Sequence, residues 1–170
     1  PKPSFINNKQ LEYDHDTEIS FLGGNEFREF DIKSLRYYGK NVQEIETKNT
    51  QGGNIFHVDL YPDTLYNDTE YRFKYDLNGK YVLSIGDNKI KETEGDYALI
   101  KFKLKTKKIK EKILYIYGEL TNWDILKEAQ MYYNDQEHYY YGFLYLKQGY
   151  YNYQYITQDK YKHTEVLEGN

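Results

Sequence analysis

The sequence predicts an all-β protein, and three observations carry that expectation. Apolar residues recur with period two rather than 3.6 in most readable segments, Asn-Gly or a lone Gly punctuates the runs, and aromatic residues make up 18% of the 170-residue chain. Mean hydropathy is −0.95, so aliphatic core material is thin. The 22 Tyr, 8 Phe and 1 Trp must supply much of the buried area. An aromatic content of this size excludes disorder over most of the length.

The clearest strand is YALIKFKLK, in which Ala98, Ile100, Phe102 and Leu104 face one way and Lys101, Lys103 and Lys105 the other. NIFHVDL alternates Phe56, Val58 and Leu60 with His57 and Asp59, and EYRFKYD alternates Tyr71, Phe73 and Tyr75 with Arg72 and Lys74. Both read as half-buried strands. Asn78-Gly79 between EYRFKYDL and KYVLSI tolerates positive φ at both positions and predicts a tight hairpin. Gly149 in FLYLKQGYYNYQYI predicts a second hairpin, whose later strand, Tyr150 to Ile156, sets Tyr151, Tyr153 and Tyr155 against Asn152 and Gln154. KTKKIKEK carries five Lys and reads as a solvated hairpin loop.

Only TNWDILKEAQM offers a helical turn or two, with Thr121 or Asn122 available as an N-cap. The polar stretch DNKIKETEGD is the best linker in the chain and places a boundary near residues 90 to 95. The spacing of strands and turns then fits two consecutive immunoglobulin-like β-sandwiches, over residues 1–92 and 93–170.

Composition narrows function. With 23 basic and 27 acidic residues the net charge is −4, so no field exists to hold a polyanion, and nucleic acid is not an expected partner. No apolar run approaches the roughly 20 residues a transmembrane helix needs. The absence of cysteine excludes disulfides and thiolate chemistry. The chain begins at Pro1, which reads as an excised or processed piece of a longer protein.

Catalytic, metal and cofactor sites are not expected. His15, His57, His138 and His163 show no ligand spacing, Asp14-His15-Asp16 lacks a second histidine or a nucleophile, and Gly23-Gly24-Asn25-Glu26 lacks the Lys-Ser or Lys-Thr of a phosphate cradle. Asn67-Asp68-Thr69 and Asp63-Thr64-Leu65 match short glycosylation patterns of low specificity. The one constellation with binding character is the tyrosine-rich second half. Its rings can fill a small sandwich core, dock a protein partner, or stack on sugar while Asn, Gln and Lys bond hydroxyls.

Two resemblances bear on that choice. Tyr117-Gly118-Glu119-Leu120-Thr121-Asn122-Trp123 followed by Gly149-Tyr150-Tyr151-Asn152-Tyr153-Gln154-Tyr155 resembles the glycogen-binding, early-set type of immunoglobulin-like module. That likeness implies a carbohydrate-binding module with Trp123 stacking on sugar beside Asn122 and Tyr161. Gln154 stands where the glycan-binding members carry Lys.

The ordered strings GGNEFREFDIKSLRYYGKNVQEI, FHVDLYPD, LNGKYVL, EGDYALIKFKL, YGELTNWD and LKQGYYNYQY are similar to the plug protein family of the type IX secretion system of Bacteroidetes. This likeness covers almost the whole chain. It implies the middle and C-terminal region of a longer protein, with a β domain before Pro1 and a final strand of the second sandwich beyond Asn170. The implied function is noncatalytic: a periplasmic, outer-membrane-associated plug that closes the periplasmic opening of the translocon barrel through protein contacts. Tyr139, Tyr140, Tyr141, Tyr150 and Tyr151 are the candidate contact residues.

Overall fold

The computed structural model describes residues 5–7, 10–12, 27–50, 53–65, 77–86, 88–89 and 95–168. Fourteen strands lie among them: β1 (Phe5–Asn7), β2 (Gln10–Glu12), β3 (Arg28–Asp31), β4 (Val42–Thr50), β5 (Gly53–Leu60), β6 (Asp63–Thr64), β7 (Tyr81–Ile85), β8 (Asn88–Lys89), β9 (Tyr97–Lys105), β10 (Lys112–Tyr117), β11 (Gln130–Asn134), β12 (Tyr139–Lys147), β13 (Gly149–Asp159) and β14 (Thr164–Val166). Among the described residues helix is confined to two 3-10 turns, Glu119–Thr121 and Lys127–Ala129. The protein is all-β.

β1 and β2 pair with each other. The remaining strands form one curled sheet in the order β4-β5-β9-β12-β11-β10-β13-β7-β8, with β6 added to β9, and β3 and β14 added to β13. Among the described residues four ladders cross the expected boundary at residue 92: β5 and β6 on β9, and β3 and β7 on β13. β5 runs parallel to β9, with Val58 opposite Ile100, and β7 runs antiparallel to β13, with Val82 opposite Tyr150. Phe30, Val58, Phe102, Ile116 and Tyr153 accordingly belong to one core. The linker expected near residues 90 to 95 falls mostly outside the described residues, and the two expected sandwiches share this strand path and this core.

β9 folds as its alternation requires. Ala98, Ile100, Phe102 and Leu104 are all fully buried, because a strand with one apolar face is stable only when that face meets a core. β5 buries Val58 and Leu60 and half-buries Phe56. Its ladder on β9 ends before Tyr61-Pro62, as proline cannot donate to a ladder, and resumes as β6 at Asp63 opposite Leu104.

The Asn78-Gly79 turn forms with φ of 50° and 76°, closed by the Lys80 amide donating to the Leu77 carbonyl at 3.1 Å. Positive φ at both central residues is the signature of a type I′ turn. The strand expected before it, EYRFKYD, lies outside the described residues.

Three local expectations are corrected. β12 and β13 do not form a hairpin: β12 pairs with β9 and β11, whereas β13 pairs with β10, β3, β7 and β14. Gln148 makes the crossing between them instead. Its amide donates to the Asp96 carbonyl, its side-chain oxygen accepts from the Asp96 amide, and its side-chain nitrogen donates to the Lys33 carbonyl at 3.0 Å. The lysine-rich stretch is a loop, but it joins β9 to β10, which are likewise not partners. Neither Thr121 nor Asn122 caps a helix. Thr121 closes the first 3-10 turn with its hydroxyl on the Gly118 carbonyl at 3.0 Å, and Asn122 follows it in left-handed conformation.

β13 organises the molecule. Its first half is flanked by β3 and β7 and its second by β10 and β14. Both its edges are thereby paired, and its side chains are buried on both faces, so the expected polar face is not solvated: Asn152 is buried along with Tyr151, Tyr153 and Tyr155.

Candidate functional site

Strict alternation along β12 divides its rings between core and surface. Tyr140, Gly142 and Leu144 point inward and are buried, while Tyr139, Tyr141, Phe143 and Tyr145 point outward. The outward rings touch in series: Tyr139 to Tyr141 at 6.5 Å and Tyr141 to Phe143 at 6.0 Å between centroids. Tyr132 on β11 lies 6.3 Å from Tyr141, and Tyr97 on β9 stacks on Tyr145 at 5.0 Å with the planes only 7° apart. The result is a six-ring aromatic stripe across the outer face of β11, β12 and β9.

Lysines border the stripe without leaving it strongly charged. Lys101 and Lys103 stand opposite Phe143 and Tyr141 in the β12–β9 ladder, and both pair with Asp59, at 3.7 and 3.0 Å. At the other end a hydrogen bond to Glu137, with some desolvation, pushes the Tyr139 phenol up to about 12, so it is neutral at any physiological pH.

The residues expected to form a contact surface are therefore split. Tyr139 and Tyr141 lie on the stripe. Tyr140 and Tyr151 are core residues, 5% and 2% exposed, and cannot meet a partner. Tyr150 sits on β13, opposite Asp31, and donates its hydroxyl to the Glu29 carboxylate. Phe143, Tyr145, Tyr97 and Tyr132 are the residues sequence reasoning missed. The signal was present in YYYGFLYLK, where every second residue from Tyr139 is a ring.

Trp123 is 39% exposed and lies outside the core. Its indole meets Tyr117 at 5.5 Å and Phe27 at 6.3 Å, both nearly edge-on, and crosses Gly79 so closely that a Cβ there would fall 2.4 Å from Cη2. Asn122 is its exposed neighbour, and both adopt left-handed backbone. Tyr161 does not join them. It follows Asp159, which faces Lys112 at the start of β10, whereas Trp123 follows the far end of that strand, and its ring contacts are His163 and Lys160.

A groove of about 350 Å³ opens beside this turn. Two stacked ring pairs line its wall, Tyr81 with Tyr151 at 5.3 Å and Tyr97 with Tyr145 at 5.0 Å. Glu119, Asn122 and Lys147 are the polar residues of its lining besides the tyrosines. The Glu119 carboxylate is fixed by the Tyr81 amide at 2.8 Å, and the Tyr151 hydroxyl donates to the Lys147 carbonyl at 2.6 Å. Burial, with the nearby Tyr81 and Tyr97 phenols, raises the Tyr151 pKa above its ordinary value, which keeps this wall uncharged.

The fold and these surfaces define an all-β protein built to present aromatic faces. No protein-family model matches the chain, and no curated protein matches it. Among solved structures it is similar to a hypothetical protein from Parabacteroides merdae, determined by crystallography at 2.30 Å, with a TM-score of 0.77 and 29% sequence identity. The match takes in 99% of this chain and 42% of that one, so the chain spans less than half the length of its structural neighbour.

Proposed function

We propose that the chain is part of a noncatalytic component of the type IX protein secretion system, a periplasmic plug that closes the periplasmic opening of the outer-membrane translocon barrel through protein contacts. The ordered strings shared with that plug family support the assignment, and the all-β fold is compatible with it. The observation that carries it is the aromatic stripe along β12. Tyr and Phe give large contact area at low entropic cost, and a tyrosine hydroxyl keeps the undocked face wettable.

A plug acts by differential affinity: it binds the idle channel better than the occupied one, and no bond is made or broken. Such a device needs a rigid, pre-formed contact face, and rings held by a nine-residue strand at a fixed spacing meet that need. The test is co-purification of the barrel with wild-type plug and with Tyr141→Ser/Phe143→Ser. Capture by wild type and loss in the variant supports the reading; equal capture, or none with wild type, refutes it.

The alternative, a glycogen-binding-like module stacking sugar on Trp123, has less support. That indole is held edge-on by Phe27 and Tyr117, and Tyr161 lies at the other end of β10.

A further inference from the structure

The segment between β3 and β4 is closed into a loop by the Asp31 amide, which donates to the Lys40 carbonyl at 3.0 Å. Its neck is narrow: a Cβ on Gly39 would fall 2.3 Å from the Asp31 carbonyl oxygen. Within it the Asp31 carboxylate accepts from the Lys33 amide at 2.9 Å, and the Ser34 hydroxyl accepts from the Arg36 and Tyr37 amides, both at 3.1 Å. Ile32 and Leu35 are buried in the core. A loop whose ends are joined and whose own side chains pack it down holds one shape.

That shape presents Arg36, Tyr37 and Tyr38 to solvent, the two rings 77% and 64% exposed. Among the described residues Arg36 makes no ion pair, and neither phenol hydroxyl has a hydrogen-bond partner. Lys33 and Lys40, by contrast, pair with Asp31 and Glu29. Arg and Tyr are residue types enriched at binding hot spots. Because the backbone behind them is already fixed, docking them carries little ordering cost.

The loop stands at one end of the aromatic stripe. The Lys33 carbonyl accepts from the Gln148 side chain at 3.0 Å, and the same side chain accepts from the amide of Asp96, next to the Tyr97–Tyr145 pair. We propose that the 32–39 loop is a second contact element of the plug, whose Arg36, Tyr37 and Tyr38 enter a carboxylate-bearing recess of the barrel at its periplasmic opening. This inference rests on the plug reading for the identity of the partner. The chemistry of the recess follows from the loop tip. A guanidinium taken out of water needs an opposed carboxylate, which it can bond at both oxygens. The phenols need apolar walls for their faces and a polar group at each hydroxyl.

Photo-crosslinking in cells from a reactive residue placed at Tyr38, and in parallel at Phe143, tests the contact. Tyr161 is the control, a ring 69% exposed beyond the opposite end of β13. An adduct with the barrel from position 38 and none from position 161 is expected. A barrel adduct from position 143 without one from position 38 would overturn the loop contact and leave the plug reading standing. No barrel adduct from either position would remove both, and an adduct with phospholipid alone from position 38 would overturn the proposal.

Co-purification of the barrel with the full chain tests the chemistry. Arg36→Glu and Tyr37→Ser/Tyr38→Ser are each expected to lower capture about tenfold or more, with unchanged urea midpoints. Arg36→Lys is expected to retain more capture than Arg36→Glu, and added salt to weaken capture by wild type. Capture by Arg36→Glu equal to wild type would overturn the carboxylate-bearing recess. A lowered urea midpoint in Tyr37→Ser/Tyr38→Ser would assign those rings to the fold and overturn their role in docking.

Discussion

Asp63 and Tyr155 are 92 residues apart, yet the Tyr155 hydroxyl donates to the Asp63 carboxylate at 2.7 Å. Tyr153 donates to the same oxygen at 2.6 Å, and Arg28 pairs with the other at 3.5 Å. Arg28 also bonds the Thr64 carbonyl at 2.9 Å, bonds the Glu168 carboxylate, and lies over the Tyr155 ring. One carboxylate thus ties β6 to β3 and β13 and, through Arg28, to the C-terminal segment.

Removing that carboxylate leaves two buried hydroxyls and a buried guanidinium short of a partner. Asp63→Ala is expected to cost about 3 kcal/mol, the usual scale for breaking a buried ionic network. Tyr153→Phe, which deletes one donor and keeps the ring, should cost about 1 kcal/mol. Urea unfolding monitored by circular dichroism measures both, and equal costs for the two variants would contradict the network.

Alkaline pH should destabilise the fold. Burial, reinforced by the Asp63 charge, holds the Tyr153 phenol well above its ordinary range, and burial with the neighbouring Tyr153 and Asp63 does the same for Tyr155. The unfolded chain releases these protons first, near pH 10. Above that pH the native state binds more protons than the unfolded state, so stability falls as pH rises, and the contribution is fully present below about pH 10. Denaturant midpoints measured on either side of about pH 10 should show the fall, and Tyr153→Phe/Tyr155→Phe should reduce its slope.

Gly79 is fixed twice, by its positive φ of 76° and by the Trp123 and Phe27 ring atoms that a Cβ would meet at 2.4 and 2.5 Å. Gly79→Ala should cost about 1–3 kcal/mol and shift the fluorescence of the single tryptophan. Because the clash is with that indole, Gly79→Ala/Trp123→Ala should be less destabilised than the sum of the single variants. Strict additivity would mean that the strain lies in the backbone and the Phe27 contact rather than against the indole.

Surface rings on β12 should be cheap to remove. Tyr141→Ser and Phe143→Ser leave the inward side of the strand intact and are expected to change stability by about 0.5 kcal/mol each. Leu144→Ala on the buried side should cost about 2–5 kcal/mol. Thermal unfolding of the three variants separates the faces, and similar losses for all three would put the stripe in the core.

Legibility in the sequence followed the range of the interactions. β9 and the Asn78-Gly79 turn are set by local rules, alternation of Ala98, Ile100, Phe102 and Leu104 in one case and positive φ in the other, and both could be read directly. β4 could not: VQEIETKNT is mostly exposed and polar, and becomes a strand by pairing with β5, with a bulge between Val42 and Glu44. The parallel β5–β9 ladder and the crossing at Gln148 depend on contacts made far along the chain. For the same reason Tyr139, Tyr140 and Tyr141 looked equivalent. Only the choice of inward face, made by Leu144 and Tyr140 against the core, sends Tyr139 and Tyr141 to the surface with Phe143 and Tyr145.

The most direct measurement is photo-crosslinking in cells from a single reactive residue placed at Phe143 on the stripe, with Ile113 on the exposed side of β10 as the control site. The account predicts an adduct with the outer-membrane translocon barrel from position 143 and none from position 113. Adducts from position 113 alone, or no adduct with the barrel from position 143, would contradict it.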